Sequence, residues 1–182
     1  VRYTESDLNR SYGLGLDTYE GQRAKVIEER IRLLKPELVL DFHTTTAEQL
    51  DLLITADRNN EVVQRFINAS AIKDNLVVSP LNDITTVAQN FVAYEVSNSR
   101  LNDDLYEQIC TDIERYLDGK MIDQERTFYK MIGKILPEEE KSIDGLENFV
   151  YNDELQAIPS FLGSKAYKQD GTYAGFKLER LI

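Results

Sequence analysis

Asp41, Phe42 and His43 close a short apolar run, Leu38-Val39-Leu40, and His43 is the only histidine in the 182 residues. Such a run is the pattern of a buried strand. In α/β proteins, ligands and reacting groups gather at the carboxyl ends of strands. Side chains on a strand alternate, so Asp41 and His43 share one face. A carboxylate beside an imidazole can fix its tautomer and raise its basicity, as it does behind a metal-bound histidine. One histidine cannot hold a metal alone, and a hydrogen-bonded core histidine fits the same residues. Thr44, Thr45 and Thr46 add hydroxyls that could orient a ligand or cap a turn.

Glu95 lies in Phe91-Val92-Ala93-Tyr94-Glu95-Val96, a strand pattern in which a carboxylate is out of place. Half-buried, it costs free energy unless paired, and burial favours its protonated form, which suits a general acid or base. An edge strand with Glu95 facing water is the plainer reading. Arg2, Asn9 and Arg10 cluster in Arg2-Tyr3-Thr4-Glu5-Ser6-Asp7-Leu8-Asn9-Arg10. Arginine suits bidentate capture of a carboxylate, and asparagine adds an uncharged donor and acceptor. A solvated charged loop has the same composition. The Tyr167 phenol could bind a carboxylate or an oxyanion, although tyrosines mostly pack. Gly13-Leu14-Gly15 lacks both a preceding strand and a third glycine, which argues against a phosphate-binding loop.

The elements that must hold these groups alternate. Asp17 is expected to cap a helix over 18–34, with Glu20 in capping-box spacing and Tyr19, Ile27, Ile31 and Leu34 as its apolar stripe. Pro36 ends it. Strands are expected at 38–42, 49–55, 76–78 and 91–96. A helix is expected at about 60–69, and another begins at Asn102 or Asp103, carries Leu105, Ile109, Ile113, Tyr116 and Leu117, and ends at Asp118-Gly119. This alternation predicts an α/β fold. Residues 1–119 read as an α/β domain. Residues 120–182 read as a smaller, strand-rich unit in which Pro137-Glu138-Glu139-Glu140-Lys141 is an acidic surface turn.

Composition excludes some classes of function. A net charge of -11 argues against nucleic acid, which needs a basic footprint. No apolar run approaches the roughly 20 residues a membrane-spanning helix requires. Val1-Arg2-Tyr3-Thr4-Glu5 is unlike a signal peptide, and a start inside a dense charged motif suggests that a preceding segment is absent. Cys110 is the sole cysteine, so no disulfide forms within these residues, and a cytoplasmic location with an inert thiol is expected.

Taken in order, these segments resemble the aspartoacylase and succinylglutamate desuccinylase family. Its signature is seen in Arg2-Tyr3 with Asp7-Leu8-Asn9-Arg10, in Tyr19-x-x-Gln22-Arg23-Ala24, in Asp41-Phe42-His43-x-Thr45-Thr46, in Tyr94-Glu95-Val96, and in Phe161 with Ala166-Tyr167. The resemblance implies a zinc-carboxypeptidase-like mixed sheet with helices on both faces and a small strand-rich C-terminal domain. It implies zinc-dependent removal of an acyl group from a small N-acyl amino acid. His43 matches a zinc ligand and Glu95 the carboxylate that moves the proton. Arg2 matches the arginine that steadies the oxyanion, Asn9 and Arg10 the residues that hold substrate carboxylates, and Tyr167 a substrate-binding tyrosine. The family's other zinc ligands, a His-x-x-Glu pair, would fall before Val1.

There are departures. Ala93 and Ser97 replace the glycines common around the family's glutamate, and Thr85-Thr86-Val87-Ala88-Gln89-Asn90 lacks the extra substrate arginine of aspartoacylases. The stretch from Glu140 to Phe161 is short for the family. A catalytically inactive relative that binds carboxylate ligands, or a zinc metallocarboxypeptidase, would share much of this pattern. A second copy of the chain is a compatible partner.

Overall fold

The computed structural model describes residues 4–79, 84–166 and 172–181. Arg2 and Tyr167 lie outside the described residues. Seven strands form one mixed sheet: β1 Val39–Thr45, β2 Leu52–Thr55, β3 Asp74–Val77, β4 Phe91–Ser97, β5 Thr127–Ile135, β6 Ile158–Ser160 and β7 Gly175–Leu181. Their order across the sheet is β1-β4-β2-β3-β5-β7-β6. β4 runs parallel to β1 and antiparallel to β2, β3 runs parallel to both β2 and β5, and β7 runs antiparallel to β5 and β6.

The alternation of β4 sorts the helices onto two faces. Phe91 and Ala93 point to the face covered by α1, Tyr19–Leu34, through Ala24, Ile27 and Ile31. Val92 and Tyr94 point to the other, covered by α2, Glu61–Ala69, and α3, Asp103–Leu117, through Val63, Phe66, Ile67 and Ile113. Each fully buried side chain of this size contributes about 1.5–3 kcal/mol. Asp112 is also fully buried, and its carboxylate is satisfied. It accepts from Ser70 Oγ at 2.7 Å, Tyr94 Oη at 3.1 Å, the Ala71 N–H at 2.9 Å and Arg115 Nη1 at 3.1 Å. This ties the end of α2 and the middle of α3 to the back of β4. Among the described residues no helix is long and apolar enough to cross a membrane.

Several local expectations need correction. Thr18, not Asp17, caps α1 by accepting from the Gly21 N–H, and Tyr19 and Leu34 are exposed instead of joining the core stripe. β1 runs past Phe42 to Thr45 because Thr44 and Thr45 continue the ladder to Val96 and Ser97. β2 begins only at Leu52, and β3 is shifted to Asp74–Val77. Leu117 is exposed at the end of α3. Beyond Gly119, β5 joins the same sheet by pairing with β3.

The acidic stretch near 139 is a helix, α4, Pro137–Ser142. Glu139 accepts from the Leu136 N–H at 2.9 Å and meets Lys177 Nζ of β7 at 2.7 Å. The Leu136 N–H first, and then Lys177, hold its carboxyl below the usual glutamate range against the opposing effect of burial. A depressed carboxyl stabilises the fold above its unfolded value of about 4.3, and that stabilisation is lost as pH falls through the lower folded value. Glu139→Gln is therefore expected to melt below wild type at pH 7, with the gap in Tm closing only as the pH falls below about 4. Melting curves across that range check this.

Candidate active site

Parallel pairing of β1 with β4 sets the centre of the site. His43 is the register partner of Glu95, and Asp41 is the partner of Ala93. On the other side of β4, Leu52 is the partner of Glu95. His43, Glu95 and Leu52 thus form one row across three neighbouring strands, each step about 4.8 Å. All three face the α1 side, because Glu95 has the parity of Phe91 and Ala93. Glu95 is half-buried.

His43 is held from behind. Its Nε2 lies 2.7 Å from Asp41 Oδ2, and each side chain is 30% exposed. With the proton on Nε2, the imidazole donates to Asp41 and carries its lone pair on Nδ1. Burial by itself would raise the Asp41 carboxyl. The hydrogen bond and charge of His43, helped by the Phe42 N–H, outweigh burial and hold it below the usual aspartate range. Tyr12 stands near enough to feel this carboxylate. Burial first, then the charge of Asp41, push its phenol up to about 12, against Arg23 and with Glu28, so it stays protonated.

Two segments frame the row. On the α1 side, a 3-10 turn at Leu8–Arg10 begins at Asp7, which accepts from the Asn9 N–H at 3.0 Å. Leu8 packs on the cluster that contains Tyr12 and Ala93. This puts Asn9 and Arg10 on the same side of the sheet as His43 and Glu95. Arg10 is exposed, and its Nη1 reaches only the Asn9 carbonyl, at 3.5 Å.

On the other flank, Leu52 packs with Phe161, Phe176 and Leu178 of the C-terminal part. The loop after His43 is tied to the same part. The Lys165 N–H donates to Thr46 Oγ1 at 2.7 Å, the Phe161 N–H to Gln49 Oε1 at 2.8 Å, and Asn148 Nδ2 to the Glu48 carbonyl at 2.9 Å. Phe161 takes a φ of 60°, a region few non-glycine residues occupy, and is almost fully buried. The segment leading to Tyr167 is thereby anchored beside the histidine loop.

No protein-family model and no curated protein matches the sequence, but solved structures do. Murine aminoacylase 3 aligns with a TM-score of 0.65 at 20% identity, over 98% of this chain and 78% of that one. Succinylglutamate desuccinylase from Chromobacterium violaceum aligns with a TM-score of 0.72 at 15% identity, over 100% of this chain and 69% of that one. The desuccinylase from Vibrio parahaemolyticus aligns with a TM-score of 0.65 at 13% identity, over 100% and 67%.

This chain has the aminoacylase–desuccinylase fold. Identities this low establish the fold, and the motif resemblance read from the sequence points to the same group of proteins. Within the aminoacylase–desuccinylase fold, the rows of β1 and β4 bring together the two residues singled out as ligand and proton carrier. Gln49 and Asn148 were not singled out from sequence. They work through hydrogen bonds to distant loops, and such contacts leave no local pattern.

A metal in this fold is tested by the donors present. Among the described residues, no group of three or more His, Cys, Asp or Glu could hold one. His43 with Asp41 behind it fits one position of a zinc shell in kind. The described residues do not complete that shell.

Proposed function

We propose that this polypeptide belongs to a zinc-dependent amidohydrolase that removes the acyl group from a small N-acyl amino acid. The observation that carries the reading is the pairing of His43 with Glu95 in adjacent strands, with Asp41 fixing the imidazole. His43 would supply one zinc ligand. The resemblance assigns the other ligands to a His-x-x-Glu pair ahead of Val1. Zinc, when bound, would supply a Lewis acid and make water acidic enough to be a nucleophile near neutral pH.

The chain's own residues would do the rest. Glu95 would take a proton from the attacking water and deliver it to the leaving amine, so that amide cleavage ends in a carboxylate and a free amino group. Arg2 would stabilise the oxyanion. Asn9, Arg10 and Tyr167 would fix the substrate carboxylates, so that only a correctly placed acyl group meets the nucleophile.

The test is hydrolysis by the full-length protein of N-acetyl and N-succinyl amino acids beside short peptides, with zinc measured on the same preparation. Cleavage of acyl amino acids with about one zinc per chain is expected. Preference for peptides would favour a metallocarboxypeptidase. Tight binding of acyl amino acids without zinc or turnover would favour an inactive carboxylate-binding relative.

The Asp41–His43 pair makes a graded prediction. Asp41→Asn is expected to weaken zinc affinity about 10–100-fold while leaving His43 in place. Competition with a chromogenic chelator measures it, and wild-type affinity in the variant would uncouple Asp41 from the metal.

A further inference from the structure

We propose that Glu20 is a positioning residue that holds the N-terminal arm, residues 4–10, so that Asn9 and Arg10 face the substrate. This rests on the functional reading above, in which those two side chains hold substrate carboxylates.

Glu20 sits in the first turn of α1, where acidic residues usually face water and help the helix dipole. Here it is only 4% exposed. Its carboxylate accepts three successive backbone N–H groups from another segment: Thr4 at 2.6 Å on Oε1, and Glu5 and Ser6 at 3.2 Å each on Oε2. Hydrogen bonds to an ionised acceptor are about twice as strong as neutral ones. The Thr4 N–H foremost, with those of Ser6 and Glu5, holds the Glu20 carboxyl below the usual glutamate range although burial opposes it. The carboxylate is therefore the form the arm is built around.

The clasp is reciprocal. Glu5 Oε2 accepts the Tyr19 N–H at 2.6 Å, and Ser6 Oγ lies 2.9 Å from Thr18 Oγ1, the cap of α1. Ser6 Oγ is also 3.3 Å from Ser11 Oγ, just past the 3-10 turn. The start of α1 is pressed closely against the returning chain: a Cβ on Gly21 would stand 2.2 Å from the Leu16 carbonyl oxygen. The arm is thus fastened at 4–6 by Glu20 and again at Ser11. Between these points lies the turn bearing Asn9 and Arg10, and among the described residues the Arg10 side chain reaches only the neighbouring Asn9 carbonyl. Its placement must come from the backbone, and Glu20 fixes that backbone.

The experiment uses the full-length protein and Glu20→Gln, which keeps the shape but leaves one acceptor oxygen for three donors. Glu20→Ala serves as the second variant. Amide exchange at Glu5 and Ser6 should accelerate about tenfold or more, the loss expected for one charge-assisted hydrogen bond. The KM for an N-acyl amino acid should rise about tenfold with kcat within about twofold, the signature of lost uniform binding. Arg10→Ala should raise KM by itself, and adding Glu20→Gln to it should raise KM little further, because the two act through one contact. A Tm drop alone would not produce that non-additivity.

Unchanged exchange at Glu5 and Ser6 in both variants overturns the clasp. Faster exchange with KM unchanged, or KM effects that multiply with Arg10→Ala, overturns its link to substrate. If wild type hydrolyses no acyl amino acid, the functional reading has failed. The same KM comparison is then replaced by the dissociation constant for that acyl amino acid, and the exchange result stands on its own.

Discussion

Glu95→Gln is expected to lower kcat on an N-acyl amino acid by about 10²- to 10⁴-fold, the usual worth of a positioned acid–base group. The amide keeps the shape and the strand register but cannot accept a proton. KM should move little, because the group is used in the transition state more than in binding. Zinc content and Tm should match wild type, since Glu95 is only half-buried and the ladder to His43 and Leu52 is made by backbone. Steady-state kinetics beside metal analysis and a melting curve decide this. A variant that retains wild-type kcat would remove Glu95 from the chemistry and leave the row a structural coincidence.

His43→Ala carries the second large effect. The full-length protein should lose stoichiometric zinc and, with it, all measurable hydrolysis. No other histidine exists among the 182 residues to take over. Asp41 would then lose the partner that offsets its burial, and its carboxyl should move up from its depressed position. Elemental analysis reads the first effect and titration of the Asp41 carboxyl by NMR the second. Zinc bound at wild-type occupancy in this variant would place the metal elsewhere. Comparison with Asp41→Asn grades the two: removing the ligand abolishes binding, while removing its support only weakens it.

Much of the fold was legible because it follows short-range rules. The helix expected at about 60–69 is α2, capped by Asn60, and of the two caps expected for α3 it is Asn102 that serves. Phe91 to Val96 is a strand wherever it is placed, since β-branched and aromatic residues crowd it. The errors have a common source. Asp17 and Thr18 are both good caps, and only the position of the Gly21 N–H chooses between them. Thr44 and Thr45 read as turn hydroxyls, yet they extend β1 because β4 is there to pair with them. Glu139 reads as surface charge until Lys177 of β7 is brought beside it. Glu20 reads as half of a capping box, but the amides it accepts come from a different loop.

The sequence by itself determined the chemistry on offer: one imidazole two residues from a carboxylate, a glutamate in an apolar strand, and arginine with asparagine near the start, in an order that resembles one group of hydrolases. Only the tertiary structure decided that His43 and Glu95 stand side by side, that Asp41 takes the histidine's Nε2, and that the loop after His43 is pinned to the C-terminal part. The reason is that side-chain period and capping are set within a few residues, whereas strand order and register are set by which apolar faces can be buried together. Shifting β1 by one residue against β4 would turn His43 to the opposite face and leave every local pattern in the chain unchanged.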